Sequence, residues 1–250
     1  MRAASLAAAL IVGLALTGCS GHQGAGSEAR PLVMVLFDVS KSTQDPAIRE
    51  RYLSFFERVV DAVASEHATV VGDVIDENPL AHSSYPIDAT FDGCDLLRDN
   101  RLVCDARTAQ LRDQVTAGAE AILSASPSRT GTDIHDGLRL AERVFVAYPE
   151  ATSRSLVLLS DMVEHSSGLD MGPAFHGSVE TDRLDLLRAD GSIPNLTGVQ
   201  VYVVGAGVVS SSEMPAARIL AIQSFWQAFF SATGADLSAG RYGAALVRFP

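Results

Sequence analysis

The sequence lacks most of the features that identify common enzymes and nucleic-acid-binding proteins. It contains no G-x-S-x-G elbow, no Walker-type phosphate loop and no H-E-x-x-H helix. Lysine and arginine together number 19 against 30 acidic residues, which gives a net charge of −11 at pH 7. No basic stretch is interleaved with aromatic residues, and an acidic surface repels phosphate. The composition therefore argues against a nucleic-acid partner and against direct electrostatic docking on anionic lipid.

Cysteine is scarce as well, and the first of the three cysteines belongs to a targeting segment. Arg2 precedes an apolar run, Leu6–Leu16, that is too short to span a bilayer, which is typical of a signal peptide. The run leads into Leu-Thr-Gly-Cys19, which resembles a bacterial lipobox. This resemblance implies removal of residues 1–18 and lipidation of the Cys19 sulfur. An ordinary signal peptide followed by a chance cysteine is the alternative.

The other two cysteines, Cys94 and Cys104, flank a short charged segment. In an exported chain such a remaining pair is expected to form a disulfide bond. A redox or metal-binding pair is the alternative, but neither C-x-x-C spacing nor a neighbouring histidine supports it. The closed loop is short, so the predicted stabilisation is about 2–3 kcal/mol.

Beyond the targeting segment, the chain is predicted to form a flexible tether over residues 19–30 and one α/β domain over residues 31–250. Strand and helix patterns alternate, which predicts a doubly wound, mostly parallel central sheet flanked by helices. The strands are predicted at 32–37, 68–75, 87–91, 155–160, 196–204 and 242–249. The helices are predicted at 46–65, 105–124, 133–147, 180–189 and 214–231, with the Phe225, Trp226 and Phe229 stripe in the core.

The most informative motif is Asp38-Val-Ser-Lys-Ser42, which follows the continuous apolar run Val33–Phe37. Such a run is typical of a strand covered on both faces, and Asp45-Pro46 then marks the start of a helix. The motif therefore lies at the carboxyl end of a strand, where open α/β sheets bind their ligands. A carboxylate and two hydroxyls are hard oxygen donors, which suit Mg²⁺ better than a soft metal.

Two further segments carry polar residues in similar places. Thr132 precedes a predicted helix, and Asp161 closes the apolar strand that begins at Ser155. With these segments, residues 31–250 resemble the von Willebrand factor type A domain family. The metal-ion-dependent adhesion site of that family combines D-x-S-x-S, a later threonine and an aspartate that closes a later strand. The matching residues here are Asp38, Ser40, Ser42, Thr132 and Asp161, whereas Met162 stands where family members often carry glycine.

The resemblance implies a site for Mg²⁺ or Mn²⁺. Ser40, Ser42 and Thr132 would bind the ion through their hydroxyls, and Asp38 and Asp161 would act mainly through waters. A protein partner would then offer an Asp or Glu to the ion. The resemblance also implies that the strand at 87–91 is an antiparallel edge. The alternative is that the two serines cap helical turns and that Thr132 is the N-cap of the following helix, and the residues could serve both roles.

The predicted function is therefore that of a lipid-anchored, extracytoplasmic binding domain of the bacterial cell envelope, on the periplasmic or cell-surface side, and not of an enzyme. One alternative is a metal-assisted hydrolase on an α/β sheet. However, phosphoryl-transfer folds carry a second aspartate where this chain has Ser40. A second alternative is a scaffold lipoprotein whose metal site is vestigial. His135, Glu164 and His165 are predicted to lie on the surface or rim and to have no catalytic role.

Overall fold

The structure is a computed structural model that describes residues 29–94, 99–125, 131–175, 177–209, 214–245 and 249, with the backbone alone at 177–181. The predicted signal peptide at 1–18, Cys19 and most of the predicted tether lie outside the described residues. Within the described ranges, no helix has the length and apolar character needed to cross a membrane.

Six strands form one sheet in the order β3-β2-β1-β4-β5-β6. Every neighbouring pair is parallel except β2 and β3, which are antiparallel. The predicted fold class and the predicted antiparallel edge strand are thereby confirmed. The strands are β1 (Leu32–Asp38), β2 (Thr69–Ile75), β3 (Ile87–Thr90), β4 (Arg154–Leu159), β5 (Val199–Val204) and β6 (Tyr242–Gly243).

The strand order reverses at β1, and this position locates the site. The chain passes from β1 to β2 on one side, whereas β4 pairs with β1 on the other. Phe37 lies opposite Leu159 in the β1–β4 ladder, so Asp38 and Ser160 emerge side by side at the carboxyl edge. Open α/β sheets bind ligands at such a switch point.

Helices cover both faces of the sheet. They are α1 (Pro46–Ser65), α2 (Pro79–His82), α3 (Arg101–Ser124), α4 (Ile134–Ala147), α5 (Gly177–Ala189) and α6 (Ala216–Thr233). Side chains of β1 alternate between two buried clusters: Val33 and Val35 pack with α1 and α3, whereas Met34 and Leu36 pack with α4 and α6. All seven β1 residues are buried, as expected for a central parallel strand. The predicted core position of the α6 aromatic residues is confirmed.

Most predicted bounds lie within three residues of the observed ones, and three larger differences remain. Helix α3 begins at Arg101 because the Asn100 side chain accepts a hydrogen bond from the Leu102 N–H and caps it earlier. Residues 79–82, within a stretch predicted to be irregular, form the short helix α2. The last strand pairs at Tyr242–Gly243 and is followed by bends at 244 and 245, where the prediction continued the strand, and the predicted part at 246–248 lies outside the described residues.

The predicted disulfide bond between Cys94 and Cys104 is present, with a Cα–Cα distance of 5.9 Å. It joins the segment after β3 to the first turns of α3. Neither cysteine lies near the carboxyl edge of β1 and β4, so the bond stabilises the fold at a different place from the candidate site.

Candidate metal centre

The three segments predicted to form a metal site do converge in space. A cleft of about 400 Å³ opens at the carboxyl edge of the sheet. Its lining includes Ser40, Lys41, Ser42, Thr132, His165 and Arg218. The two predicted carboxylates adjoin it: Asp38 and Asp161 are 1% and 0% exposed. All five predicted site residues are therefore found together, although they come from three distant parts of the chain.

Asp38 ends β1 and is held in place on both carboxylate oxygens. Oδ1 accepts a hydrogen bond of 2.9 Å from the Ser40 N–H, and Oδ2 accepts one of 2.7 Å from the Ser160 hydroxyl. Burial raises the pKa of this carboxyl above its ordinary value, and these hydrogen bonds only partly oppose the effect. Sequence reasoning missed Ser160, which immediately follows β4 and orients Asp38.

The hydroxyls of Ser40 and Ser42 lie 2.9 Å apart. Ser40 precedes the 3-10 turn Lys41–Thr43, but its side chain makes no capping hydrogen bond there. Thr43 instead closes the turn, because its hydroxyl donates to the carbonyl oxygens of Asp38 (2.8 Å) and Ser40 (3.1 Å). Ser40 thus occupies the N-cap position of the turn without a side-chain capping bond, and the two serine hydroxyls form a pair at the cleft.

Thr132 is fixed by its backbone and does not cap α4. Its N–H and C=O pair with His165 in a two-residue antiparallel bridge, with N···O distances of 3.0 and 2.9 Å. The N-cap of α4 is Asp133, whose carboxylate accepts from the Asp136 N–H at 2.8 Å. The alternative assignment of Thr132 as N-cap is wrong, and its hydroxyl makes no hydrogen bond to the residues that the structure describes.

Asp161 is buried with one of its carboxylate oxygens unsatisfied. Its Oδ1 accepts from the Val163 N–H at 2.8 Å, whereas the buried Oδ2 receives no hydrogen bond of normal distance and angle. Burial, and next the negative charge of Asp38, raise the pKa of Asp161 to about 8. The Ser42 hydroxyl, the Val163 N–H and the Arg218 guanidinium act in the opposite direction.

The two carboxylates fit a divalent cation. Within the described part of the chain, no basic side chain forms an ion pair with Asp38 or Asp161. Buried carboxylates without a counter-charge carry a large desolvation cost, which a nearby cation offsets. A cation beside Ser40 and Ser42 would also give the Asp161 Oδ2 atom the positive partner that it lacks. The donor set is all oxygen, as Mg²⁺ and Mn²⁺ prefer.

Met162, which follows Asp161, has an unusual backbone conformation. Its φ is +64°, in the left-handed region that favours glycine. Its side chain is fully buried in the core below the cleft.

Glu164 was predicted to lie on the rim, and this prediction is wrong. The residue is fully buried. One carboxylate oxygen accepts from the N–H groups of Ile134 (2.7 Å) and His135 (3.2 Å), and the other accepts from the Ser166 hydroxyl (2.8 Å). Burial, and next the charge of Asp133, raise the pKa of Glu164 well above its ordinary value. Glu164 therefore anchors the start of α4 beside Thr132, and no local pattern in the sequence indicates this long-range contact.

The two histidines have structural partners. His165 is on the rim as predicted, and its Nδ1 lies 2.9 Å from Asp170 Oδ1. His135 is half-buried, with Nε2 at 2.8 Å from the Ser192 carbonyl oxygen and its ring edge-on to Phe229. Among the described residues, neither histidine is paired with a serine or threonine hydroxyl as a catalytic base would be.

No family profile and no curated protein matches the sequence. Solved structures that are similar to this chain include a von Willebrand factor type A protein from Catenulispora acidiphila, with 14% identity and a TM-score of 0.42 over 82% of this chain and 43% of that one. They also include the manganese-loaded Plasmodium vivax TRAP protein, with 11% identity and a TM-score of 0.44 over 87% and 68% of the two chains.

A third is the pilus adhesin SpaC from Lactobacillus rhamnosus GG, in its open conformation, with 13% identity and a TM-score of 0.45 over 81% and 27% of the two chains. The chain thus spans less than half the length of the Catenulispora protein and of the adhesin. At such identities the likeness concerns the fold alone, and the site is interpreted from its own geometry.

Proposed function

We propose that the cleft binds one divalent cation, Mg²⁺ or Mn²⁺, and that the bound ion holds a protein partner through an acidic residue. Ser40, Ser42 and Thr132 would bind the ion through their hydroxyls, and Asp38 and Asp161 would act mainly through waters. The observation that carries this proposal is the pair of buried carboxylates, neither of which forms an ion pair with a basic side chain in the described part of the chain. Their burial is unfavourable unless positive charge is added, and a divalent cation supplies it.

The choice of a carboxylate as the partner group follows from charge. Serine and threonine hydroxyls are neutral, so an ion held by them keeps most of its positive charge. A carboxylate from another protein compensates that charge better than a neutral group does. An exposed cleft at the edge of the sheet gives such a residue access.

We assign binding rather than catalysis to this site. A phosphoryl-transfer mechanism needs a general acid near the strand-end aspartate, and the residue two positions after Asp38 is Ser40. Turnover of a panel of phosphoesters by the Mg²⁺-loaded protein would instead support the hydrolase alternative.

We further propose that the domain is displayed on the extracytoplasmic face of a bacterial membrane, periplasmic or on the cell surface, through lipid on Cys19. The lipobox-like Leu-Thr-Gly-Cys sequence supports this anchoring. The Cys94–Cys104 disulfide bond supports an oxidising compartment, because such bonds persist there.

Calorimetry with Mg²⁺ and Mn²⁺ tests the metal site. The wild type should bind one ion per chain, whereas Ser40→Ala and Asp161→Asn should abolish or strongly weaken binding and leave the circular dichroism spectrum unchanged. Asp73→Asn is the matched control, because Asp73 is a buried β2 carboxylate that accepts from the Ser83 hydroxyl and does not line the cleft. Binding that survives in both site variants, or no binding by the wild type, would support a vestigial site.

A further inference from the structure

Lys41 is the only lysine in the chain, and it stands between the two candidate serine ligands. Its side chain is exposed and lines the cleft. The protein has a net charge of −11, yet its single lysine lies beside the proposed cation site. There its charge adds to that of the cation and does not balance the acidic surface.

Arg218 lines the same cleft and is held in a fixed orientation. Its Nε and Nη2 donate hydrogen bonds of 3.2 and 2.6 Å to the Met171 carbonyl oxygen. It lies in the first turn of α6, where the helix dipole disfavours a cation. Within the described residues no carboxylate forms an ion pair with it and its Nη1 makes no hydrogen bond. Its partners among the described residues are the Met171 carbonyl oxygen and, through electrostatic attraction alone, Asp161 and Asp170, so the free edge of the guanidinium is available to a ligand.

Asp170 also lines the cleft, but its carboxylate is already engaged. Oδ1 lies 2.9 Å from His165 Nδ1 and accepts a hydrogen bond of 2.9 Å from the Gly172 N–H. The charges left to meet a ligand are therefore those of Lys41 and Arg218. Together with a bound ion they place positive charge at this edge of an acidic protein.

We propose that Lys41 and Arg218 form an anion subsite beside the metal, so that the partner is an acidic segment that presents two carboxylates: one to the ion and one to this basic pair. The inference rests on the proposed function, since the ion must take the first carboxylate. A guanidinium with a free edge favours a carboxylate in a defined orientation, and the flexible lysine adds a second charged donor. The pair thus selects among partners that all offer one acidic residue.

Capped glycine peptides test the subsite directly. One peptide carries a single aspartate, and a series carries two aspartates at increasing separation. In saturating Mg²⁺ or Mn²⁺, at least one two-aspartate peptide should bind about tenfold more tightly than the single-aspartate peptide, as charge-assisted contacts in a partly enclosed site allow. Lys41→Gln and Arg218→Gln should each reduce this ratio of affinities to within about twofold of unity.

The ratio of affinities distinguishes the subsite from the metal site. Any effect of a variant on ion binding changes the affinities of both peptide classes by the same factor. Lys41→Arg should keep the ratio, since it retains the charge. Arg101→Gln removes one exposed positive charge outside the cleft and should also keep it, which controls for net charge. Equal affinities of the two peptide classes for metal-loaded wild type would overturn the subsite alone. Loss of all metal binding would overturn the proposed function instead.

The single lysine provides a second readout that does not depend on a variant. Amine acylation, followed by peptide mass spectrometry, modifies no side chain other than Lys41. Mg²⁺ together with the best two-aspartate peptide should slow this modification severalfold more than Mg²⁺ together with the single-aspartate peptide. Equal rates in the two mixtures would show that the second carboxylate does not contact Lys41.

Discussion

The indole Nε1 of Trp226 donates a hydrogen bond of 2.8 Å to the carbonyl oxygen of Met162, and both residues are fully buried. Met162 immediately follows Asp161 and has a φ of +64°. The bond therefore connects the most aromatic helix of the core, α6, to the turn that carries a candidate metal-site carboxylate. Because the turn is held by a core side chain, the geometry of the cleft depends on core packing.

Trp226→Phe tests this connection. The substitution keeps an aromatic ring but removes the donor, which leaves the Met162 carbonyl oxygen buried without its bond. The free energy of unfolding should fall by about 1–3 kcal/mol, measured by urea denaturation. Metal affinity measured by calorimetry should fall as well, since the Asp161 turn loosens.

Phe229→Leu is the matched control for this substitution. It also reduces a buried aromatic side chain of α6, but Phe229 makes no hydrogen bond to the metal-site turn. It should destabilise the protein without lowering metal affinity under conditions where both variants are folded. Unchanged metal affinity in Trp226→Phe would show that the turn does not depend on the indole.

The stability of the metal-free protein should decrease as the pH rises toward the pKa of Asp161, about 8. Burial raises this pKa first and the Asp38 charge raises it further, so the folded state binds a proton that the unfolded state releases above about pH 4. The stabilisation from protonated Asp161 is fully present below the pKa of the residue in the unfolded state. It is lost as the pH rises to the pKa of the residue in the folded state. For Asp161 alone, the free energy of unfolding should fall by at most about 1.4 kcal/mol per pH unit.

Urea denaturation in chelator across this pH range measures the effect. Asp161→Asn should weaken the dependence, because the amide does not titrate, and the remainder comes from Asp38 and Glu164, whose pKa values are also raised. Saturating Mg²⁺ should flatten or reverse it, because a cation favours the ionised carboxylates. A metal-free wild type whose stability rises between about pH 5 and pH 8 would contradict the assignment of the raised pKa.

Glu164→Gln and Glu164→Ala should have opposite outcomes. In Glu164→Gln, the amide oxygen can accept from the Ile134 and His135 N–H groups while the amide donates to Ser166, and a buried charge is removed. Stability near neutral pH should be unchanged or higher. Glu164→Ala leaves two N–H groups of the first α4 turn without partners and should cost about 2–4 kcal/mol.

Thermal denaturation and metal calorimetry on both Glu164 variants provide the measurement. Metal affinity should fall only in Glu164→Ala, because the loop that carries Thr132 leads directly into this turn of α4. Equal destabilisation by both substitutions would show that the negative charge, and not the hydrogen bonding, is what the fold requires.

Cys19→Ala should prevent lipid attachment and cleavage before residue 19. The physical reason is that the thioether to lipid needs the cysteine sulfur. Mass spectrometry of the mature N-terminus from membrane fractions compares wild type with variant. An unmodified Cys19, or cleavage at another position in the wild type, would contradict the lipoprotein assignment.

Much of the fold and the residues of the candidate metal site were predictable because the signals are local. A buried parallel strand is a continuous apolar run, as in Val33–Phe37, and an amphipathic helix has its own period, as in α1. The D-x-S-x-S motif lies within one turn of chain, so its three oxygen donors are visible in the sequence itself. Boundaries were less predictable, since α3 starts where Asn100 happens to cap it.

The amino-acid sequence by itself determined the alternation of strands and helices, the five candidate metal-site residues and the cysteine pair. Each of these features can be recognised from residue types and short sequence spacings. Only the tertiary structure decided that Glu164 is buried under α4, that Ser160 holds Asp38, and that Lys41 and Arg218 share one cleft. These relationships join residues far apart in the chain. They depend on strand order and register at the β1–β4 switch point, which no local pattern encodes.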